Sequence, residues 1–245
     1  MGAIIVTGAS RGIGAAVARL AGARGYAVAV NYKSDAAAAD LVVGDIIARG
    51  NRAAAIQGDV ANEDQVIRLF ASAERLLGSI EGLVNNAGII GQYCRIEELE
   101  AATLAEVLAV NIAGAMLCAR EAVRRMSRRH GGAGGSIVNI SSIAARIGGA
   151  GEYVHYAASK GAIDSFTVGL AHEVAEDGIR VNAVAPGLID TEIHRNTPGR
   201  LERLTPMVPM KRIGTPEEVA EGVLWLLSAG ASYTTGTILE IGGGR

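Results

Sequence analysis

Cysteine is nearly absent: Cys94 and Cys118 are the two in 245 residues. They are too few and too far apart for a zinc motif or a disulfide framework, and their reduced form suits the cytoplasm. A surplus of positive charge is missing too, with 23 Lys plus Arg against 25 Asp plus Glu and a net charge of -2. That balance argues against a nucleic-acid surface or a polybasic membrane anchor and leaves small-molecule chemistry as the default. No apolar run approaches the ~20 residues of a membrane span. Ile4-Ile5-Val6 reads as a core strand beginning at residue 3, which leaves no room for a cleavable signal. No membrane partner and a soluble, cytoplasmic protein are therefore expected. The four histidines form no ligand cluster, His172-Glu173 lacks the second histidine of a zinc-protease helix, and no Gly-x-Ser-x-Gly elbow occurs. Metal and serine-hydrolase chemistry are not expected.

What is present is apolar and alternating. With 49% hydrophobic residues the chain can fill a sizeable core, and its length suits one domain over 1–245. Short apolar runs at 3–7, 27–31, 53–57, 82–85, 136–140, 180–184 and 237–241 read as strands, and the segments between them carry helical periodicity. Such alternation predicts an α/β fold, a doubly wound parallel sheet with helices on both faces. Ligands of such sheets bind beyond the carboxyl ends of the strands, and every motif below falls there.

Thr7-Gly8-Ala9-Ser10-Arg11-Gly12-Ile13-Gly14 joins the first strand to a helix. Its glycines let the backbone approach a pyrophosphate, and the helix start favours an anion. Arg11 opposes the helix dipole, which makes sense if a phosphate sits there. The second strand ends in Asn31-Tyr32-Lys33-Ser34. An NAD site needs a carboxylate at that place for the ribose 2′-OH, whereas Asn31 is not acidic, and Arg11 and Lys33 could flank a 2′-phosphate. NADP is favoured over NAD. Asp35 or Ser34 reads as the cap of the next helix.

Asp59, followed by Val60, either accepts from an adenine amino group or is a turn carboxylate. The helix after it is expected to start at Asn62, with Gln65 as capping-box partner. In Asn85-Asn86-Ala87-Gly88 the amides can tie adjacent loops together, and glycine leaves space for a ring or ribose. Asn111 lies inside a helical segment from about Thr103 to Arg129, either as a tolerated core amide or as the mark of a local distortion. Arg124, Arg125, Arg128 and Arg129 read as a solvated helix end that suits the dipole. The irregular stretch 188–212, entered through Pro186-Gly187, reads as a substrate lid.

Tyr156 and Lys160 are four apart and share one helix face. A tyrosine loses its proton near pH ~10, and acid or base work near neutrality needs a shift of roughly 3 units, about 4 kcal/mol. One cation at about 4 Å, at an effective dielectric of about 20, supplies that amount, so Lys160 is expected to activate Tyr156. A hydroxyl at Ser141-Ser142 could polarise a carbonyl beside the phenol.

Taken in order, the 7–14 turn, Asp59-Val60, Asn85-Asn86-Ala87-Gly88, Asn111, Ser142, Tyr156 with Lys160, and Pro186-Gly187 resemble the short-chain dehydrogenase/reductase family over essentially the whole chain. The resemblance implies seven parallel strands and a tetrad in which Tyr156 is acid or base, Lys160 activates it, Ser142 orients the carbonyl and Asn111 anchors a proton relay. It implies cofactor contacts at Gly8, Ser10, Ile13, Asp59, Asn86, Ala87, Tyr156, Lys160, Pro186 and Ile189, with Lys160 on the nicotinamide ribose and Thr191 near the carboxamide; Gly12, Gly14, Asn31, Val60, Gly88 and Gly187 complete the expected binding set. A homotetramer acting on a small carbonyl or alcohol is implied, like a sugar or polyol dehydrogenase or a broad carbonyl reductase. A 3-oxoacyl-carrier-protein reductase is the alternative, with Arg129 placed as a docking residue is in those relatives but Asp177 where they often have a base. An NADP-sensing regulator without turnover is the reading from another class.

Overall fold

The computed structural model describes residues 2–192 and 199–245. Its strands are β1 Ala3–Val6, β2 Ala27–Tyr32, β3 Ala53–Gln57, β4 Ile80–Asn85, β5 Gly135–Ile140, β6 Ile179–Pro186 and β7 Ile238–Ile241. They form one parallel sheet in the order β3-β2-β1-β4-β5-β6-β7. Each expected strand is there, its ends moved by at most a residue or two. The helices are α1 Gly12–Ala23, α2 Ala36–Ile47, α3 Glu63–Leu77, α4 Ala101–Leu108, α5 Ala115–Met126, α6 Ala144–Ile147, α7 Val154–Val174, α8 Arg200–Leu204 and α9 Pro216–Leu227.

Alternation along the strands decides which helix goes where, because successive side chains leave opposite faces. Ile4 and Val6 join the buried cluster that holds α1, α2 and α9, while Ala3 and Ile5 join the one that holds α3, α5 and α7. Both faces are thus covered, which is why the strands are apolar throughout rather than alternating. After β1 the chain builds outward through β2 and β3, then crosses back to place β4 on the other side of β1. The loops leaving β1 and β4 therefore diverge and open a crevice.

Local chemistry sets the helix starts. Asn62 caps α3 by accepting from the Gln65 N–H at 3.1 Å. Gln65 does not return a bond to Asn62 as a capping box would; its Oε1 accepts from the Asp59 N–H at 2.9 Å and anchors the loop leaving β3. Asp35 caps α2. The segment expected as one helix to Arg129 is instead α4, a π-helical stretch Ala109–Gly114 and α5. Asn111 does mark a distortion, the extra residue of a π-turn. Gly114 brings that turn against the loop after β3, since a Cβ there would stand 2.8 Å from Val60 Cγ2.

The helical run Ala101–Met126 is long and apolar enough to cross a membrane by length and composition, which corrects the expectation that no stretch comes near. Asn111 and Gly114 interrupt the apolar sequence but not the helix. Its Val107, Cys118, Ala122 and Met126 are buried in this fold.

Candidate active site

A cleft of about 900 Å³ opens at the carboxyl ends of the strands, bordered by Lys33 and Asp59 near β2 and β3 and by Ser142, Tyr156 and Lys160 near β5 and α7. Its floor is the turn after β1. Gly8 has φ 60° and Gly12 φ 55°, the left-handed region where glycine carries little strain. Thr7 and Asn86 lace this turn to the loop after β4. Thr7 Oγ1 accepts from the Asn86 and Ala87 N–H groups at 3.0 Å each, and Asn86 Nδ2 donates to the carbonyls of Thr7 at 2.8 Å and Gly8 at 3.0 Å.

Two residues expected at the cofactor also brace the fold: Asn31, which borders the cleft, and Gly14 behind it. Asn31 is 1% exposed; its amide donates to the Ile56 and Gly58 carbonyls and accepts from the Gly8 N–H. It ties β3 and the glycine turn to β2, so its amide has no donor left for a ligand. Gly14 does not border the cleft. A Cβ there would lie 2.4 Å from Asn86 Nδ2 and 2.6 Å from the Gly8 carbonyl, so it is glycine for packing. The other expected contacts, Gly8, Ser10, Arg11, Gly12, Ile13, Lys33, Asp59, Val60, Asn86, Ala87, Gly88, Pro186, Gly187, Ile189 and Thr191, all border the cleft.

Two ion pairs hold the cations expected to meet a phosphate. Lys33 Nζ lies 2.9 Å from Asp59, and Arg11 lies 3.1 Å from Glu192. Burial opposes the charged form of Asp59, but the hydrogen bonds from Lys33 and the Ala61 N–H outweigh it and hold the carboxyl below its usual range. Asp35, the carboxylate nearest the end of β2, accepts from the Ala38 N–H as the cap of α2.

At the other end, the two serines part ways. Ser141 Oγ donates to Asp164, behind the sheet end, at 2.5 Å. Ser142 Oγ accepts from the Ala144 N–H at 3.1 Å, and Ser142 lines the cleft together with Tyr156. Burial pushes that phenol up to about 12, with Ser142 pulling the other way. Lys160 Nζ donates to the Ile140 carbonyl at 2.7 Å and stands 5.7 Å from the centre of the Tyr156 ring. Burial brings the ammonium down to about 8, opposed by Asp164. Tyr156 and Lys160 thus share a face as the spacing predicts, but the downward shift expected of the phenol is not produced by the protein's own groups. Desolvation is the largest influence on the phenol, and the Lys160 ammonium is already bonded to a carbonyl.

Asn111 stands behind the cleft wall, 2% exposed. Its Oδ1 accepts from the Ile89 N–H, and its Nδ2 donates to the Ile89 carbonyl and to Ser159 Oγ. Ser159 Oγ in turn donates to the Tyr156 carbonyl at 2.7 Å, so the π-turn is coupled to the first turns of α7. His155, next to Tyr156 in the chain, is 4% exposed with Nε2 at 2.9 Å from the Ile90 carbonyl.

Sequence reasoning missed the outer wall. Tyr93, Tyr153 and Tyr156 form two edge-to-face contacts with ring centres 5.8 Å apart, and Arg200 from α8 packs on the first two rings. Tyr153 three residues before Tyr156 was the one local signal; the rest converges from distant segments. The sequence-expected lid over 188–212 is described in part, and its residues 193–198 lie outside the described set.

A nicotinamide dinucleotide fits this arrangement. The N-terminus of α1 has no side-chain cap and faces the cleft through Ser10, Arg11 and Gly12, as an anion site does, and the cleft continues from there to the Ser142–Tyr156 pair.

A family model described as Enoyl-(Acyl carrier protein) reductase matches residues 8–245. The chain is 49% identical over 247 residues to the uncharacterized oxidoreductase YgfF of Escherichia coli (strain K12), covering 100% of each. It is 38% identical to a 3-oxoacyl-[acyl-carrier-protein] reductase of Synechocystis sp., over 98% of this chain and 95% of that one. A substituted short-chain dehydrogenase/reductase of Serratia marcescens, solved as a structure, superimposes with a TM-score of 0.93 at 33% identity, covering 99% of this chain and 97% of its own. The glycine turn, the cleft phenol with Ser142 and a buried lysine beside it, and these matches agree: the chain belongs to the short-chain dehydrogenase/reductase family, oxidoreductases that act on CH–OH groups with NAD(P).

Proposed function

We propose that this protein interconverts a small alcohol and its ketone or aldehyde with NADP(H), using Asn111, Ser142, Tyr156 and Lys160 as its catalytic set, on a sugar, a polyol or a broader range of carbonyl compounds. The observation that carries the reading is the partly buried Tyr156 phenol in the cleft, with Ser142 and the buried Lys160 beside it. When bound, the nicotinamide supplies or accepts the hydride. Ser142 orients the carbonyl oxygen, and Tyr156 gives that oxygen a proton in reduction or takes it in oxidation. Lys160 holds positive charge beside the phenol and binds the ribose. Asn111 fixes the Ile89 backbone and the start of α7, and so the wall against which the proton moves. Tyr156→Phe is expected to lower kcat by at least roughly a hundredfold while NADPH still quenches protein fluorescence; unchanged turnover refutes the role.

Support for NADP comes from the end of β2, where Asp35 caps α2 and Asp59 is paired with Lys33. Exposed pairs such as Lys33–Asp59 and Arg11–Glu192 are worth about 0–1 kcal/mol, so a 2′-phosphate can draw both cations away. The carrier-protein alternative meets an acidic residue, Asp177, where those relatives often have a base, and Asp177 pairs with Arg129 at 3.1 Å. A non-catalytic sensor would have no use for the intact tetrad.

The assembly is proposed to be a homotetramer. Leu108 and Met116 on the α4–α5 run and Val168 on α7 are 40%, 39% and 36% exposed, an apolar surface that subunit contacts would cover. Light scattering at micromolar concentration tests it, and a monomer contradicts it. Cys94 and Cys118 are buried free thiols, in keeping with a reducing, cytoplasmic setting. The single domain and the 188–212 lid belong to the same proposal, with Leu204 and Val208 packed on Leu188 at the cleft rim.

A further inference from the structure

Of the three arginines that border the cleft among the described residues, Arg11 is exposed and Arg245 half-buried, whereas Arg200 is 4% exposed. A guanidinium that deep must be neutralised or matched to something. Arg200 Nη1 donates to Glu152 at 2.6 Å. Its Cζ lies 4.9 Å from the centre of the Tyr93 ring and 5.1 Å from that of Tyr153. Its Nε is enclosed and has no partner among the described residues. Glu152 is shared, because Arg203 bonds its other oxygen. Among the described residues two guanidiniums thus face one carboxylate, which leaves the cluster one unit of positive charge.

The geometry points to Arg200 as the receptor of a carboxylate on the substrate, so that the compound reduced or oxidised is an oxo acid or a hydroxy acid. This inference rests on the carbonyl–alcohol reading above and names the substrate class for the same site. A carboxylate matches the planar fork of a guanidinium, and its single charge matches the surplus of the cluster. Tyr153 links the two ends of the substrate site: its ring centre is 5.1 Å from the guanidinium carbon and 5.8 Å from the centre of the Tyr156 ring. The compound meant carries its carboxylate a ring or a short chain away from the reacting carbon, since Tyr153 packs against both the guanidinium and the Tyr156 ring. Between the ends the cleft is walled by Ile90, Ile147 and the tyrosine rings, a passage suited to hydrocarbon.

The test compares acids with their uncharged esters. Purified full-length protein with NADPH is assayed on 4-oxocyclohexanecarboxylate and 5-oxohexanoate and on the methyl ester of each. Wild-type protein is expected to favour the acids in kcat/KM by roughly ten- to a hundredfold, the range of a charge-assisted hydrogen bond. Arg200→Gln brings the acid-to-ester ratio toward one, and Arg200→Lys restores part of it. Glu152→Gln moves the other way, lowering KM for the acids because it releases the guanidinium. A purely structural clasp predicts instead that both variants lose acid and ester activity alike, and that result overturns the inference. So does a wild-type ratio at or below one, or reduction of neutral ketones with neither pair turned over, although the reductase reading then stands. If no carbonyl compound is reduced and no alcohol oxidised, the reductase reading fails and the substrate class with it.

Discussion

Replacing Lys160 with methionine separates what the buried ammonium costs the fold from what it does in the site. Burial moves the group from 10.5 to about 8. At about 1.4 kcal/mol per unit, the native state carries roughly 3 kcal/mol of unfavourable charge burial at neutral pH. Methionine removes that cost but orphans the Ile140 carbonyl, which accepts from Lys160 at 2.7 Å; an unsatisfied buried acceptor costs about 1–3 kcal/mol. The two terms nearly cancel at pH 7, but they differ in pH dependence. Below about 8 the folded and unfolded lysines are both protonated and the charge term is constant. Between there and 10.5 the unfolded chain binds the extra proton, so the stability of the wild type rises with pH relative to the variant. The advantage of Lys160→Met over wild type is therefore expected to fall by most of roughly 3 kcal/mol between pH 7 and pH 10. Tyr156 is in both proteins, so its own titration largely drops out of the difference. Urea unfolding followed by far-UV circular dichroism, at matched protein concentration because assembly shifts apparent stability, measures it. Parallel curves for the two proteins across that range would show that Lys160 is not a desolvated ammonium.

Gly14→Val places methyl groups where a Cβ alone already meets Asn86 Nδ2 at 2.4 Å and the Gly8 carbonyl at 2.6 Å; the NADPH dissociation constant is expected to rise at least roughly tenfold, from about 1–3 kcal/mol of strain, in a fluorescence titration, and an unchanged constant contradicts the packing role. Lys33→Ala should raise KM for NADPH several-fold and flatten its salt dependence while leaving KM for NADH in place; equal effects on both cofactors would remove the 2′-phosphate assignment. With the Tyr156 phenol pushed up to about 12, alcohol oxidation should gain rate as pH rises from 7 to 10 and carbonyl reduction should not. Initial rates in both directions across that range decide it, and oxidation that is flat with pH counts against Tyr156 as the base.

The frame was legible because buried parallel strands are continuous apolar runs, and motifs at their carboxyl ends point at one cleft. Asn111 was legible as one of two alternatives, and the π-turn resolves them. What could not be read were partners. Asn31 looked like a cofactor residue because its place in the chain is where one is expected; only the fold shows the Ile56, Gly58 and Gly8 groups that use its amide. Arg124 and Arg125 looked like a solvated helix end, but both bond Glu121, which is 3% exposed. Arg125 also lies over the Phe70 ring at 5.3 Å. Glu152, Arg200 and Tyr93 share no local pattern at all, since the cluster is assembled from three separated segments.

The expectation that a lysine four residues on would lower the tyrosine used a Coulomb term alone, and the structure adds the desolvation that opposes it. At neutral pH a phenol held at about 12 is protonated, so the protein by itself presents a proton donor to a carbonyl oxygen rather than a base to a hydroxyl. Lys160, at about 8, stays mostly charged there. Its ammonium is tied to the Ile140 carbonyl at the end of β5, and the serine that meets the phenol follows two residues later in the chain. One strand end therefore fixes both partners of Tyr156. The lysine's charge counts most when negative charge develops on the phenol oxygen during transfer, because a fixed cation in a low-dielectric site stabilises that state more than the neutral phenol. The spacing Tyr156 to Lys160 thus matters for the transition state, and the resting acid strength of the phenol is set by how deeply α7 buries it.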